Sequence, residues 1–185
     1  MLRNENKAIS IVQKDIKGKI FKCCEGLSFW GGVDPHTGRI IDIHHPNHGS
    51  FISKKFLLMP TSRGSCSGSG VLLQLAQSEL APAALIFHET EEILTLGAIV
   101  ADQLFDKQVA VLRVSKEIYN ELALADTAEI FRNKLMFGSK IIKLKRLNIG
   151  ALNLSSEDQS ILNGEQGIAQ KIAMETICKM ARLQN

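Results

Sequence analysis

Lys55-Phe-Leu-Leu-Met-Pro-Thr-Ser-Arg-Gly-Ser-Cys-Ser-Gly-Ser-Gly-Val71 is the stretch of the 185-residue chain that decides its fold. It begins with a short apolar run that ends at Pro60, which is typical of a buried strand. A loop rich in glycine and serine follows over residues 61–70, and residues 71–79 have the composition of a helix. A strand, a tight loop and a helix in this order predict the first half of a βαβ unit.

Strands and helices alternate along most of the chain. Ser115 is suited to cap a helix, because a serine hydroxyl can accept a hydrogen bond from a free backbone amide. Short strands come first and strands separated by helices follow, which predicts an α/β domain of β/β/α layers with a helical C-terminal segment. The predicted strands cover residues 7–12, 17–23, 39–43, 55–59, 83–87, 108–114 and 140–146, and the predicted helices cover residues 71–79, 93–104 and 116–124.

The composition is that of a globular domain. Hydrophobic residues make up 45% of the chain and the formal net charge is only +3, which argues against intrinsic disorder and against a nucleic-acid footprint. The longest apolar run, residues 93–101, is too short to cross a bilayer. The first residues are polar, unlike a signal peptide. We therefore expect a cytoplasmic protein with no nucleic-acid and no membrane partner.

Four cysteines are present, and their positions argue against a metal centre. Cys23 and Cys24 are adjacent, Cys66 lies in the glycine-serine loop, and Cys178 lies near the end of the chain. Zinc and iron–sulfur sites are held by several converging thiolates, often in Cys-x-x-Cys pairs, and this spacing is absent from the sequence. We therefore expect that the chain itself holds no metal or cluster.

Arg63-Gly-Ser-Cys-Ser-Gly-Ser-Gly70 contains the residues best suited to carry chemistry. A helix that starts behind such a loop directs free amides and a positive dipole at it, which favours an anion. Arg63 adds a planar fork suited to a carboxylate or a phosphate. A serine hydroxyl in that field has a lowered pKa and is a candidate base. A tight structural turn explains the same residues equally well.

Other segments also have two interpretations. His44-His-Pro-Asn-His48 has the residue types of a metal site, but Pro46 prevents a helical ligand pair, so we favour a solvated loop at a domain interface. Asp34 is suited equally to contacting a substrate and to forming a turn. Cys66 is either a reactive thiol at a helix N-terminus or, as we favour, a small residue that fills the loop. The pair Phe29-Trp30 is interpreted as core or interface packing.

Residues 154–185 predict a second unit. Ser155-Ser-Glu-Asp158 has the form of a capping box, and beyond Gly167 apolar residues recur at helical spacing. An amphipathic helix needs a surface to cover, and the sequence ends at Asn185 before it supplies one. From periodicity alone, a terminal helix that folds back on the first domain is equally compatible.

Taken together, these segments resemble the swivel domain, or small subunit, of the aconitase X family. The resemblance covers residues 18–147, and the ordered set of motifs is more specific than any one of them. It implies a swivelling β/β/α domain that closes over an iron-containing catalytic portion. The motifs that carry it are Gly31–Asp42, His45-Pro46, Arg63–Gly70, Ala81–Ala84 and Ile93–Val100.

The resemblance also implies roles for the glycine-serine loop. The family's proton-abstracting serine follows an Arg/Lys-Gly pair, and in this sequence that position is Ser65. The substrate-binding positions implied in the same way are Arg63, Gly64, Ser67 and Ser69. The resemblance implies no metal ligand within the chain.

The tail has a resemblance of its own. Residues 154–169 resemble the start of the family's catalytic subunit, as does the pair Ala173-Met174, and that subunit normally supplies the cysteines for iron or an iron–sulfur cluster. Iron or a cluster is therefore expected on a partner, which is a catalytic domain or large subunit, and this chain alone is expected to be inactive. The implied organisation is an N-terminal extension over residues 1–17, the swivel domain over 18–147, a linker over 148–153 and the start of a truncated catalytic domain over 154–185.

The implied activity is dehydration of a small hydroxy acid, whose carboxylate the loop would bind. The fusion implied by the tail favours cis-3-hydroxy-L-proline as the substrate. Within the family, the alternative is the small subunit of a phosphomevalonate dehydratase. Outside it, the alternative is a non-catalytic module that uses the same loop to bind an anion or to regulate a partner enzyme.

Overall fold

The computed structural model describes residues 8–147 of the chain. The predicted linker, the predicted start of a catalytic domain and the helical C-terminal segment lie outside the described residues. The strands are β1 (Ala8–Val12), β2 (Ile16–Lys22), β3 (Leu27–Ser28), β4 (Phe56–Leu58), β5 (Ser62–Arg63), β6 (Ala84–Phe87), β7 (Ala110–Val114), β8 (Thr127–Phe131), β9 (Lys134–Phe137), β10 (Lys140–Lys143) and β11 (Lys145–Arg146), and the helices are α1 (Ser67–Gln77), α2 (Ile93–Phe105) and α3 (Lys116–Leu122).

Most of the strands form one sheet in the order β10-β9-β8-β2-β4-β6-β7-β1-β11. The strands β2, β4, β6 and β7 are parallel, whereas β8, β9 and β10 form an antiparallel meander beside β2. At the other edge, β1 is antiparallel to β7, and β11 pairs with β1. Only Leu144 separates β10 from β11 in the chain, so the two edges meet and the sheet is nearly closed.

The centre of the sheet is buried on both faces, which explains why its strands are apolar throughout. Phe56 and Leu58 of β4 point into a core formed with β6, β7, α3 and the β8–β9 hairpin. Leu57 lies between them, points to the opposite face and is fully buried as well. The helices α1 and α2 pack so closely that a Cβ on Gly97 would come within 2.8 Å of the Ser69 carbonyl oxygen.

The structure confirms the α/β fold class and most of the predicted elements. The apolar runs predicted as strands at 55–59, 83–87 and 108–114 correspond to β4, β6 and β7, and the helix predicted at 93–104 corresponds to α2. These elements are long apolar runs bounded by proline or polar residues, which is the pattern that sequence periodicity reads best.

The strand predicted at residues 39–43 is wrong. This segment forms only two isolated bridges, from Ile40 to Val33 and from Arg39 to Phe51. Its alternation of buried and exposed side chains is that of a strand, but it pairs with loop segments and not with the sheet.

Two further differences concern the β8–β9 hairpin and the start of α1. The hairpin is missing from the prediction because Arg132 and Asn133 make its turn, both with positive φ, without the glycine that usually marks such a turn.

The helix α1 begins at Ser67, four residues before the predicted start. There Gly68 packs closely on Ile93, and this contact outweighs the poor helix propensity of glycine and serine.

The first described strand, β1, takes part in the domain. Residues 1–17 are assigned to an extension by the sequence analysis, but β1 is hydrogen-bonded to β7 and β11 inside the sheet. Ala8 and Val12 are buried there because alternate side chains of β1 face the interior. None of the helices within residues 8–147 is long and apolar enough to cross a membrane.

Candidate functional site

Residues 61–66 form the serine loop, which connects β4 to α1 and contains the short strand β5. β4 lies in the middle of the sheet between β2 and β6, which are both parallel to it. The serine loop therefore lies at the carboxyl edge of the parallel strands, where α/β sheets bind their ligands. Parallel pairing of β5 with β3 fixes the first half of the loop.

Gly64 sets the turn of the serine loop. Its φ is +102°, in the region that favours glycine. A Cβ at this position would come within 2.7 Å of the Ser28 hydroxyl oxygen, so the loop packs directly on β3. The Ser28 hydroxyl in turn donates to the Trp30 carbonyl at 2.8 Å. Gly64 therefore has a backbone role, and any side chain there would displace the loop.

A buried carboxylate anchors the serine loop to α2. The Ser62 hydroxyl donates to Glu91 Oε1 at 2.6 Å. Glu91 also accepts from the Leu94 amide at 2.7 Å, and from the amide and the hydroxyl of Thr95, both at 2.9 Å. Only 8% of Glu91 is exposed, but four donors and the positive end of α2 satisfy its charge. The buried side chain of Glu91 therefore anchors the serine loop through Ser62.

Arg63 is exposed and partly engaged. Its Nη2 lies 2.9 Å from Glu25 Oε2, on the segment that follows β2. Its aliphatic stem passes over Gly26, where a Cβ would come within 3.1 Å of Arg63 Cγ. One ion pair uses part of the five-donor guanidinium, so the remaining N–H groups can bind a carboxylate. Because both partners are solvated, the pair orients Arg63 and adds little to stability.

The three candidate serines differ in what their hydroxyls contact. Ser65 and Ser67 are exposed, and neither hydroxyl has a hydrogen-bond partner in the described part of the chain. Ser69 is half-buried, and its hydroxyl donates to the Cys66 carbonyl at 2.6 Å. The hydroxyls of Ser65 and Ser67 are therefore available to a substrate, whereas the Ser69 hydroxyl is already hydrogen-bonded within the chain.

Part of the anion site expected at the start of α1 is used within the helix itself. The amides of Gly68 and Ser69 donate to the carbonyls of Ser65 and Cys66 at 3.0 and 3.1 Å. The amides of Ser65 and Cys66 have no backbone partner among residues 8–147. These two amides, the guanidinium of Arg63 and the free hydroxyls of Ser65 and Ser67 are therefore donors that a bound anion can use.

Asp34 forms a turn. Its carboxylate accepts from the His36 amide at 2.9 Å and from the Thr37 hydroxyl at 2.7 Å. These hydrogen bonds, that of Thr37 first, hold the pKa of Asp34 below its usual value. Of the two interpretations open from the sequence, the structure therefore supports turn formation.

The histidine segment is a loop held by its own backbone. His45 is buried, and its Nδ1 accepts from the Asn47 amide at 3.1 Å. His48 Nδ1 lies 3.1 Å from the Asp42 carbonyl, and His44 is exposed. Within residues 8–147, no three side chains of His, Cys, Asp or Glu come together in a group that could hold a metal.

A second polar cluster, which the sequence analysis missed, lies beside the serine loop. His88 follows β6, and its neighbour Glu89 donates its amide to the Pro60 carbonyl at 3.1 Å. His88 Nε2 lies 2.8 Å from Lys116 Nζ, and its ring packs edge-on against Tyr119 at 4.6 Å. Burial first, and then the charge of Lys116, lowers the pKa of His88. The neutral ring therefore accepts a hydrogen bond from Lys116, and the Glu89 carboxylate lies 3.9 Å from its Nδ1, so the cluster joins a basic and an acidic side chain at the edge that holds the serine loop.

Glu25 and Glu91 are further site residues that the sequence analysis missed. They lie 38 and 29 positions away from the loop residues that they contact. For Glu91 a signal exists, because acidic residues are favoured just before an apolar helical run. For Glu25 the sequence offers none, because its pairing with Arg63 depends on the order of the strands.

The chain is similar to known proteins over most of its length. Residues 5–137 match the family described as the aconitase X swivel domain. The cis-3-hydroxy-L-proline dehydratase of Pseudomonas aeruginosa is 38% identical over 182 residues, which cover 95% of this chain and 31% of that protein. The phosphomevalonate dehydratase small subunit of Methanothermobacter thermautotrophicus is 51% identical over 85 residues, which cover 46% of this chain and 65% of that protein.

A solved structure matches the fold. The crystal structure of Thermococcus kodakaraensis aconitase X in its holo-form matches with a TM-score of 0.58 and 28% identity, and the match covers 76% of this chain and 98% of that chain. The chain spans about a third of the length of the P. aeruginosa protein, so the match extends over only part of that dehydratase.

Proposed function

This chain belongs to the aconitase X swivel-domain family, and we propose that it is the serine-bearing part of a dehydratase that removes water from a small hydroxy acid. One observation carries the proposal. The Ser65 hydroxyl is exposed and has no partner in the described residues, while the loop around it is held by β3 and Glu91. A free hydroxyl on an anchored backbone is what a positioned acid–base group requires.

The chemistry proposed for this chain is proton removal. Ser65, as its alkoxide or through a shared proton network, takes the proton from the carbon next to the substrate carboxylate. The electron pair of the broken C–H bond forms the C=C double bond as the C–O bond of the hydroxyl group breaks, and the departing hydroxide and the proton taken by Ser65 together make up the water that is released. Arg63 and the free amides of Ser65 and Cys66 hold the negative charge of the carboxylate, which grows as the proton leaves.

The iron or iron–sulfur cluster that the family implies does not fit the described thiols of this chain. Burial, and then the neighbouring Cys24, raises the pKa of Cys23 to about 12, so that Cys23 remains a protonated thiol. Cys24 and Cys66 are exposed, free and on different loops. A cluster needs several converging thiolates. We therefore assign the iron to a partner catalytic domain or large subunit, and this chain is proposed to be inactive without it.

The substrate proposed for this enzyme is cis-3-hydroxy-L-proline. The match to the P. aeruginosa cis-3-hydroxy-L-proline dehydratase extends over 95% of the chain, which supports this choice. A shorter match, over 46% of the chain but at 51% identity, supports phosphomevalonate as the second candidate. Both molecules are small hydroxy acids with a carboxylate that Arg63 can bind. The compartment proposed for the enzyme is the cytoplasm.

A domain exchange tests the proposed function. The third of the P. aeruginosa dehydratase that matches this chain is replaced by it, and the exchanged enzyme is purified without oxygen and assayed with both substrates. We expect dehydration of cis-3-hydroxy-L-proline. A folded, iron-loaded exchange enzyme that dehydrates neither substrate but still binds the carboxylate would contradict the proposal and favour a non-catalytic anion-binding module.

A further inference from the structure

Exposed apolar side chains are concentrated in the segment between β3 and β5. Eight large hydrophobic side chains are exposed among the described residues, and four of them lie in this one segment. They form the apolar patch, which consists of Trp30 (64% exposed), Ile41 (43%), Ile43 (74%) and Phe51 (50%). Single exposed apolar residues are normal on a protein surface, but several in one short segment mark an interaction site.

Backbone pairing brings together the segments that carry these four side chains. The Ile41 amide donates to the Gly32 carbonyl at 2.8 Å, which brings Ile41, and the turn that begins at Ile43, close to the segment of Trp30. Phe51 is bridged to Arg39 in antiparallel fashion. Alternate residues of an extended segment share a face, and directly opposed residues of an antiparallel pair do too. Phe51 therefore lies on the same outward face as Ile41, and the exposed Ile43 begins the turn that follows Ile41 in the chain.

The apolar patch continues into the serine loop. Trp30 is two residues from Ser28, whose backbone is paired with Arg63. The Ser28 hydroxyl joins the two features directly, because it donates to the Trp30 carbonyl and lies against Gly64. A partner that covers Trp30 therefore also lies over the loop that carries Ser65.

We propose that the apolar patch is the docking face for the catalytic portion of the dehydratase, and that docking there closes the site over Ser65. This inference rests on the proposed function. Its occupant follows from length, because the P. aeruginosa relative has about two thirds of its chain outside the match, and from the archaeal relative, which is named a small subunit. Tryptophan is among the residues that contribute most to protein interfaces, and Trp30 lies nearest the serine loop.

The single tryptophan provides a direct probe of docking. The full chain is labelled with fluorotryptophan, so that its only fluorine resonance reports on Trp30. It is titrated with the unlabelled large subunit of the M. thermautotrophicus enzyme, with the matching archaeal small subunit as the positive control for binding. We expect the Trp30 resonance to shift on binding. We expect Ile43→Ser to weaken binding at least tenfold.

Matched variants separate the apolar patch from general surface hydrophobicity. Leu124 and Ile141 are exposed to 89% and 66% and lie outside the patch. Leu124→Ser and Ile141→Ser are expected to leave the dissociation constant within twofold. The docking proposal is overturned if the complex forms while the Trp30 resonance stays unchanged, if these controls weaken binding as much as Ile43→Ser, or if the patch is covered by a second copy of this chain. Failure to bind where the archaeal small subunit binds overturns it as well.

Dehydration measured in the same mixtures separates the two proposals. If the mixture is active but Ile43→Ser does not weaken binding, the proposed function stands and the docking face is wrong. If binding depends on the apolar patch but neither substrate is dehydrated, the docking face stands and the proposed function is wrong.

Discussion

At the level of single residues, the serines of the serine loop and of the first turn of α1 differ in whether their hydroxyls are free to bind a substrate. The Ser69 hydroxyl donates a hydrogen bond to the Cys66 carbonyl, and the Ser62 hydroxyl donates one to Glu91. Ser65 and Ser67 have no such partner in the part of the chain that the structure describes. A catalytic base needs a lone pair that can face the substrate, so Ser65 and Ser67 are the candidates for the base. The family motif favours Ser65.

The first prediction concerns Ser65 in the domain-exchange enzyme. Ser65→Ala removes one oxygen from a loop that Gly64 and two anchors already hold, so the free energy of unfolding should change by no more than about 0.5 kcal/mol. kcat should fall by about two to four orders of magnitude, the usual scale for a lost acid–base group. Ser69→Ala should cost less, and Arg63→Ala should mainly raise KM. If Ser67→Ala abolishes turnover and Ser65→Ala does not, the base is Ser67.

The second prediction concerns the buried anchor. Glu91→Gln places an amide N–H₂ against a set of donors, so the free energy of unfolding should fall by about 1–3 kcal/mol. Ser62→Ala leaves the helix contacts of Glu91 in place and should cost about 1 kcal/mol. Glu92→Gln, at the exposed neighbouring position, is the matched control and should have an effect of less than about 0.5 kcal/mol. Urea unfolding of the three variants measures this. Equal losses for Glu91→Gln and Glu92→Gln would contradict the anchor.

The third prediction follows from the lowered pKa of His88. The unfolded chain takes up a proton near pH 6.5, whereas the folded chain resists it because of burial and Lys116. The stability contributed by neutral His88 is therefore complete above that pH and is lost as the pH falls through the lower folded value. Unfolding followed from pH 7.5 downwards should show a steeper loss for the native chain than for His88→Gln. His44→Gln, at an exposed position, should follow the native curve, and a His88→Gln curve that does so too would argue against this account.

At the level of elements, the sequence predicts what is encoded locally. The central strands β4, β6 and β7 are continuous apolar runs, and burial on both faces of a parallel sheet requires such runs. The β8–β9 hairpin escapes prediction because Arg132 and Asn133 adopt left-handed conformations that their sequence does not announce. The segment 39–43 has strand-like alternation without a sheet partner, and no local signal distinguishes the two cases.

The candidate site divides in the same way. One half of the site, from Arg63 to Ser69, is contiguous in the sequence and carries a recognisable motif. Its supporting half, Glu25, Ser28 and Glu91, is brought to the loop by the strand order β2-β4-β6 and by the β3–β5 pair. A single sequence does not contain that order, so these residues become visible only in the structure.

The fourth prediction concerns the contact between α1 and α2. Gly97→Ala gains helix propensity, but its Cβ would lie 2.8 Å from the Ser69 carbonyl oxygen, so the helices must move apart. We expect a net loss of about 1 kcal/mol, because overpacking costs about 1–3 kcal/mol. Gly70→Ala is the matched control, because a Cβ there meets nothing within 4 Å. It should stabilise the chain by about 0.5–1 kcal/mol. A stabilising Gly97→Ala would show that the helices can separate freely.

At the scale of the whole molecule, the nearly closed sheet joins the first and the last strands of the described residues 8–147. Strands β10 and β11 are consecutive in the chain and form opposite edges of the sheet, so closure leaves little edge exposed for pairing with another chain. The last hydrogen bond of this unit runs from the Leu147 amide to the Ser10 carbonyl at 2.9 Å.

The last prediction compares two truncations that differ by six residues. A chain that ends at Gly150 keeps β11 and all of the described core, and its thermal midpoint should lie within about 2 °C of that of the full chain, the shift that about 0.5–1 kcal/mol produces in a domain of this size. A chain that ends at Leu144 lacks β11, which pairs with β1 through Ile9 and Ser10. That loss frees the edge of β1 and removes the Leu147 hydrogen bond, so the midpoint should fall by considerably more. Differential scanning calorimetry measures both. If the chain ending at Gly150 loses as much stability as the shorter one, residues 151–185 are integral to the first domain, and the division of the chain near residue 148 has to be abandoned.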